Sequence, residues 1–297
     1  MPFSSTPVRV DPTLFGGTGS EGPAATVHRV VAAAATADGA DPLDEATLLA
    51  LRHGLGDTDL WLAGEDGFAW RHDVALDVVV HPDARGRGIG EALALTATAT
   101  AGPLTAWSHG DHPAAAVLAG RLSFARVRDL WVMRRALSDL PSLPADDAVD
   151  VRTFRAGQDE DAFLALNAAA FAHHPEQGGL TRAGLEEREA EPWFDPAGFF
   201  LAERDGELVG FHWTKVHPAD ADKPAVGEVY VVGVSPTAQG GGLGRRLTLT
   251  GLHHLAGVGL GSVLLYVEAD NAAAVAVYSR LGFGHAPEDT HVQYARS

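Results

Sequence analysis

Apolar residues in the second half of the chain fall into short runs whose period changes from one run to the next. Within residues 158–171 they stand at Phe163, Leu164, Leu166, Ala170 and Phe171, the spacing of one helical face, and 181–189 predicts a second, charged helix. Two strands follow at 199–203 and 208–213, joined by Arg204-Asp-Gly-Glu207, where Asp-Gly is a strong hairpin signal. The β-branched run 228–234 then leads through Ser235-Pro236 into a glycine loop and a helix over 245–256. A buried strand at 262–267, a helix at 271–281 and a closing strand at 283–294 complete the pattern. From Leu60 onward the first half repeats this order. Its opening third is less regular, and residues 1–22 carry no pattern.

The repetition extends to individual residues. Val80-His-Pro-Asp-Ala-Arg-Gly-Arg-Gly-Ile-Gly-Glu-Ala-Leu93 aligns without gaps on Val234-Ser-Pro-Thr-Ala-Gln-Gly-Gly-Gly-Leu-Gly-Arg-Arg-Leu247. Further on, Asp111-His-Pro-Ala-Ala-Ala with Arg121-Leu-Ser-Phe124 matches Asp270-Asn-Ala-Ala-Ala-Val with Arg280-Leu-Gly-Phe283. A period of about 150 residues exceeds the roughly 20–50 of a solenoid and points to a duplicated domain. The Pro-, Ser- and Asp-rich stretch between the copies reads as a linker. The expected division is 1–139, a linker at 140–149, and 150–297. Helices alternating with strands, beside a hairpin, imply an α/β class with a mostly antiparallel mixed sheet in each copy.

Charge narrows the partners. With 22 Lys and Arg against 39 Asp and Glu, the net charge of −17 speaks against nucleic-acid or anionic-membrane binding, so an anionic ligand must be gripped locally. The absence of cysteine removes disulfides, thiolate metal sites and a cysteine nucleophile. No run approaches the roughly 18 apolar residues of a membrane span, which leads us to expect a cytoplasmic protein, and a monomer. His173, His174, His212 and His217 lack the spacing of a metal motif and read as surface or hydrogen-bonded residues, so no metal is expected.

The glycine loops supply the local grip. A strand feeding a Gly-rich turn and a helix N-terminus offers unpaired backbone N–H groups and the positive end of a helix dipole to a phosphate. The plain alternative is a strand-to-helix turn. A nicotinamide fingerprint fails on context, because the strand sits mid-domain and no lone acidic residue ends the following strand. A nucleotide-triphosphate loop would need Gly-Lys-Ser/Thr.

Gln239-Gly-Gly-Gly-Leu-Gly244 after a β-branched strand, followed by Asn271-Ala-Ala-Ala-Val-Ala-Val-Tyr278-Ser-Arg-Leu-Gly-Phe283, resembles the acetyl-CoA-dependent N-acetyltransferase (GNAT) family. The resemblance implies two tandem GNAT-like domains and acetyl-CoA as the acetyl donor. Its second-copy contacts would come from Val232, Gly233, Val234, Gln239, Gly240, Gly241, Gly242, Leu243, Gly244 and Arg245, together with Asn271, Ala272, Ala273, Ala274, Val275 and Ala276. A second acetyl-CoA site in the first copy would use Val78, Val79, Val80, Arg85, Gly86, Arg87, Gly88, Ile89 and Gly90. Tandem members carrying such segments imply a small-molecule acceptor, the cysteinyl amine of a cysteine–glucosamine–inositol conjugate. Glu45, Glu176, Lys215, Glu228 and Tyr266 match acceptor-side positions.

An ammonium cannot attack a thioester until a base takes its proton, and Glu228 is the candidate base. Tyr278, on the helix after Asn271, would protonate the leaving thiolate, which would make the alkaline limb of the rate sensitive to it. The plain readings are a strand-start carboxylate and a core tyrosine. Glu228 aligns with Val74 and Tyr278 with Ala119, so the first copy keeps the loop and lacks both proton-transfer groups. Another small amine acceptor, such as an aminoglycoside, a polyamine or a protein N-terminus, remains an alternative, as does a non-catalytic acyl-CoA sensor.

Overall fold

The computed structural model describes residues 6–11, 22–44, 47–48, 51, 58–143, 149–172, 175–219 and 224–297, without the side chains of 175 and 176. Two compact units divide the chain. One comprises 1–131, 268–270 and 286–297, and the other 132–267 and 271–285.

In the first unit β1 (Val8–Val10), β2 (Asp59–Leu62), β3 (Gly67–His72) and β4 (Ala75–Val80) form an antiparallel meander. β4 meets β5 (Leu104–Ser108) in parallel at Ala75↔Thr105. Helix α1 (Pro23–Asp38) covers one face through Val27, Val30 and Ala34, packed with Phe68 and Trp70. Helices α2 (Ile89–Thr98) and α3 (Pro113–Arg121) frame the other face around Leu93, Ala97 and Ala119. The ends of the units depart from the division at 139 and 150 expected from the repeat. Strand β6 (Ala125–Ala136) is divided at 131, and β12 (Gly284–Arg296) belongs to the first unit in all but its first two residues. Backbone pairing is the reason, since Val292–Arg296 run antiparallel to Leu104–Ser108.

The second unit opens with β7 (Asp150–Thr153), α4 (Glu160–Ala170) and α5 (Arg182–Glu189). Strands β8 (Phe199–Arg204), β9 (Glu207–His217) and β10 (Val226–Val234) follow, all antiparallel, and β10 pairs in parallel with β11 (Ser262–Glu268). Asp205 and Gly206 both take positive φ, 53° and 82°, as a tight hairpin turn requires. One face is an aromatic core: Phe154 and Trp213 both stack on Phe199 at 4.4 and 4.6 Å, and Phe163 meets Phe199 and Phe211 edge-on. The other face carries α6 (Leu243–Gly257), through Leu247, Leu249, Leu252 and Leu255, and α7 (Ala272–Arg280) follows β11.

Helix α6 approaches the sheet closely because Gly251 lies against the buried His212 ring, whose Nδ1 bonds the Leu247 carbonyl at 2.7 Å. A Cβ at 251 would overlap that imidazole. Gly251→Ala therefore sets a gain in helix propensity of about 1 kcal/mol against an overpacking cost of about 1–3 kcal/mol. A lower urea midpoint is expected, and an unchanged or higher one would show that His212 moves aside freely.

Candidate active site

The two glycine loops share one backbone conformation. Each begins with a 3₁₀ turn, Pro82–Ala84 or Pro236–Ala238, continues through an extended residue, Arg85 or Gln239, and ends at a left-handed glycine heading a helix. Gly86 and Gly88 have φ of 73° and 81°, and Gly240 and Gly242 have 87° and 81°. A side chain at these positions would be strained whatever the space around it. Neither α2 nor α6 has a side-chain N-cap, so the first-turn N–H groups point outward for an acceptor such as phosphate. Pairing on the adjacent side is brief as well. β10 meets β11 only over Gly227↔Val263 to Val229↔Leu265, which leaves the strand edge at Val232–Val234 open for an extended ligand backbone. These features fit the phosphates and the amide-bearing arm of CoA.

Strand register builds a buried polar cluster in the second unit. Gly227 faces α6, where a Cβ would meet Leu255, so Glu228 turns to the opposite face. There it stands directly across from Lys215. Glu228 is 5% exposed and Lys215 8%, both low for charged groups. The Glu228 carboxylate bonds His217 Nε2 at 2.6 Å, and the His217 ring reaches the surface. The Lys215 ammonium lies 4.4 Å from the Trp193 ring centre and 5.2 Å from that of Tyr230, two cation–π contacts that offset its desolvation. A register shift between Val229 and Val231 falls at Tyr230, whose hydroxyl accepts from Arg188 Nε at 3.0 Å.

Tyr278 lies on α7. Asn271 Oδ1 accepts the Ala274 N–H at 3.1 Å and caps this helix, so the Asn271 side chain has a structural task. Tyr278 is half-buried and meets Phe283 edge-on at 5.8 Å, and desolvation by the surrounding protein pushes the phenol up to about 12. Its hydroxyl stays protonated throughout the physiological range. Tyr266 is exposed on β11.

In the first unit a cavity of about 510 Å³ is lined by Val78, Val79 and Val80, by Arg85, Gly86, Gly88, Ile89 and Gly90, and by Ala119. Arg87 is not among its lining residues and donates to the Asp83 carbonyl at 2.7 Å. Arg85 makes a two-pronged ion pair with Asp38 at 2.6 and 2.7 Å. Val74, aligned with Glu228, is 55% exposed. Glu45, His173, His174 and the Glu176 side chain lie outside the described residues. Among the described residues no group of three His, Asp or Glu is placed to hold a metal ion. No helix among them is long and apolar enough to cross a membrane.

Comparison with known proteins agrees with this geometry. A model of the acetyltransferase (GNAT) family matches residues 168–283. The mycothiol acetyltransferase of a Nocardioides species is 58% identical over 92% of this chain and 97% of its own. That of Streptomyces avermitilis is 52% identical over 93% and 92%. The chain belongs to the mycothiol acetyltransferase family. It is an acetyl-CoA-dependent N-acetyltransferase with two tandem GNAT-like domains, and the sequence-based assignment of family and fold class holds. A GCN5-related N-acetyltransferase from Sphaerobacter thermophilus matches at TM-score 0.65 and 26% identity, covering 93% of each chain. A tandem GNAT protein from the clavulanic acid biosynthesis pathway shares the fold at TM-score 0.68 and 20% identity, covering 92% of this chain and 94% of its own.

Three features of this family member's site escape a reading of the sequence: the His217–Glu228 hydrogen bond, the Trp193–Tyr230 box and the Arg188 contact. The alternation Trp213, Lys215, His217 was the available signal, since it puts all three on one face of a strand. Replacing a buried cation by an apolar residue of similar length is often neutral for stability. Lys215→Met is therefore expected to leave the thermal midpoint within about 2 °C while raising the acceptor KM about tenfold, a change of about 1.4 kcal/mol. Loss of stability with an unchanged KM would assign Lys215 to packing.

Proposed function

We propose that the second unit transfers the acetyl group of acetyl-CoA to the cysteinyl amine of a cysteine–glucosamine–inositol conjugate, giving mycothiol. The supporting observation is the buried Glu228 carboxylate on the strand that ends in the phosphate-binding loop, next to the caged Lys215. Glu228 takes a proton from the acceptor ammonium, and the freed amine forms the new C–N bond at the thioester carbonyl. The C–S bond breaks, and the Tyr278 hydroxyl supplies a proton to the leaving thiolate. His217, bonded to Glu228 and reaching the surface, gives the abstracted proton a route to solvent. Acetyl-CoA is held by the backbone of Val232–Val234 and the loop 239–245. Lys215, Tyr266, Glu45 and Glu176 are assigned to the acceptor.

In this reading 1–139 and 150–297 are the two duplicated copies, joined at 140–149. The first copy binds a second acetyl-CoA through Val78–Val80 and Arg85–Gly90 without turnover, because Val74 and Ala119 replace the base and the acid. The protein acts as a cytoplasmic monomer, independent of nucleic acid, membrane and metal.

A panel of amines with acetyl-CoA and a thiol-release readout tests the acceptor. Turnover with the cysteinyl conjugate is expected, and a strong preference for an aminoglycoside or polyamine would redirect it. Glu228→Gln keeps the shape and removes the base, so kcat should fall by roughly 10²–10⁴ with acetyl-CoA binding nearly unchanged. A wild-type rate would mean that water or another group takes the proton.

Tyr278 changes the pH dependence expected from sequence. A phenol raised to about 12 stays protonated below pH 10, so it cannot set an alkaline limb in that range. Tyr278→Phe should lower kcat by a nearly constant factor from pH 6 to 10. A loss confined to the alkaline side would show that the hydroxyl titrates in that range.

A further inference from the structure

Resting on the reading of the first unit as an acyl-CoA site, we propose that this site takes an acyl group longer than acetyl, a straight apolar chain of about four to eight carbons. Helices α3 and α7 correspond residue by residue. Each N-cap side chain, His112 or Asn271, accepts a backbone N–H from its own first turn. The Phe124 N–H donates to the Ala119 carbonyl at 2.9 Å, and the Phe283 N–H donates to the Tyr278 carbonyl at 3.1 Å. Ala119 thus occupies the place of Tyr278, with a methyl group where the second unit has a phenol.

The vacated space belongs to the cavity of about 510 Å³, for Ala119 is one of its walls. Leu76, Ala106, Leu122, Phe124 and Tyr294 also line it, and all pack in one apolar cluster with Ala119. Ser108, His109 and His112 line the cavity elsewhere, so the wall around Ala119 offers an apolar guest a place to leave water at one side of an otherwise mixed site. The same cavity is lined by the loop residues Arg85, Gly88 and Gly90, so one void joins a phosphate-binding wall to an oily one. Its charged walls are matched, Asp38 with Arg85 and Glu91 with Arg121. A phosphate-headed ligand with an apolar tail fits both walls, and an acetyl group alone leaves the space beside Ala119 unfilled. With Val74 in place of a base, such a thioester is held and not consumed.

Calorimetric titration of the full chain with acetyl-CoA and hexanoyl-CoA tests this. Each methylene buried is worth about fourfold in affinity, so partial burial of the four extra methylenes should make hexanoyl-CoA at least about tenfold tighter at one site. Ala119→Tyr should abolish that preference while acetyl-CoA still binds. Ala119→Val, a smaller filling that guards against misfolding of the first variant, should reduce the preference in part. Two equivalents of acetyl-CoA with no preference for hexanoyl-CoA would overturn this inference alone, as would a preference that survives both variants. A stoichiometry that never exceeds one for either thioester would overturn the two-site reading and this inference with it.

Discussion

The antiparallel pairing of β9 with β10 is the constraint on which the chemistry of the second unit depends. It sets Glu228 opposite Lys215, brings His217 to the carboxylate, and turns all three to the face away from α6. A slip of one residue would send the glutamate toward Leu255, where even a Cβ at Gly227 has no room. Sterics on one face thus enforce the polar arrangement on the other. Burying an ammonium and a carboxylate costs several kcal/mol per ion unless partners replace the lost water. Here the imidazole does so for the carboxylate and two aromatic faces do so for the ammonium, and the stacked core of Phe199 and Trp213 holds those partners in place.

The glycine loop solves a separate problem, that of holding a polyphosphate on a strongly acidic protein. Long-range attraction is absent at a net charge of −17, so a grip on phosphate would have to come from main-chain N–H groups at short range. Left-handed glycines are the cost of aiming those groups outward, and both loops meet it with the same φ values to within about 15°. One backbone conformation at two places with different side chains, Arg85-Gly-Arg in one and Gln239-Gly-Gly in the other, indicates that main-chain geometry is the common requirement.

Much of this was legible in the sequence, because period and punctuation are local. The helix over 158–171 and the strands at 199–203 and 262–267 appear within two residues of the expected ends, and the Asp-Gly turn lies where it was read. Strand β9 runs four residues further than expected. Its end, Thr214 to His217, is polar by composition, and its strand character comes from pairing with β10. The same non-locality hid the site: His217 looks like one of several scattered histidines until the register places it beside Glu228. The placement of 286–297 was beyond reach for a similar reason. The internal repeat orders the chain by descent, whereas β12 is placed by the edge of β5 with which it pairs.

The two units share the loop and differ at two positions outside it. Both keep the uncapped helix, the left-handed glycines and a short parallel pairing at the end of the strand away from the loop. They differ at the positions of Glu228 and Tyr278, where the first unit has an exposed valine and a buried alanine. Neither position touches the loop, since Glu228 lies at the far end of its strand and Tyr278 on another helix. A duplicated fold can therefore change these side chains while keeping the backbone geometry of the loop. Absence of the phenol has a further physical consequence, because it exchanges a polar hydroxyl for apolar volume. A phenol on α7 and a methyl group at the matching place on α3 thus give the two units different linings, a hydroxyl in one and an apolar wall in the other.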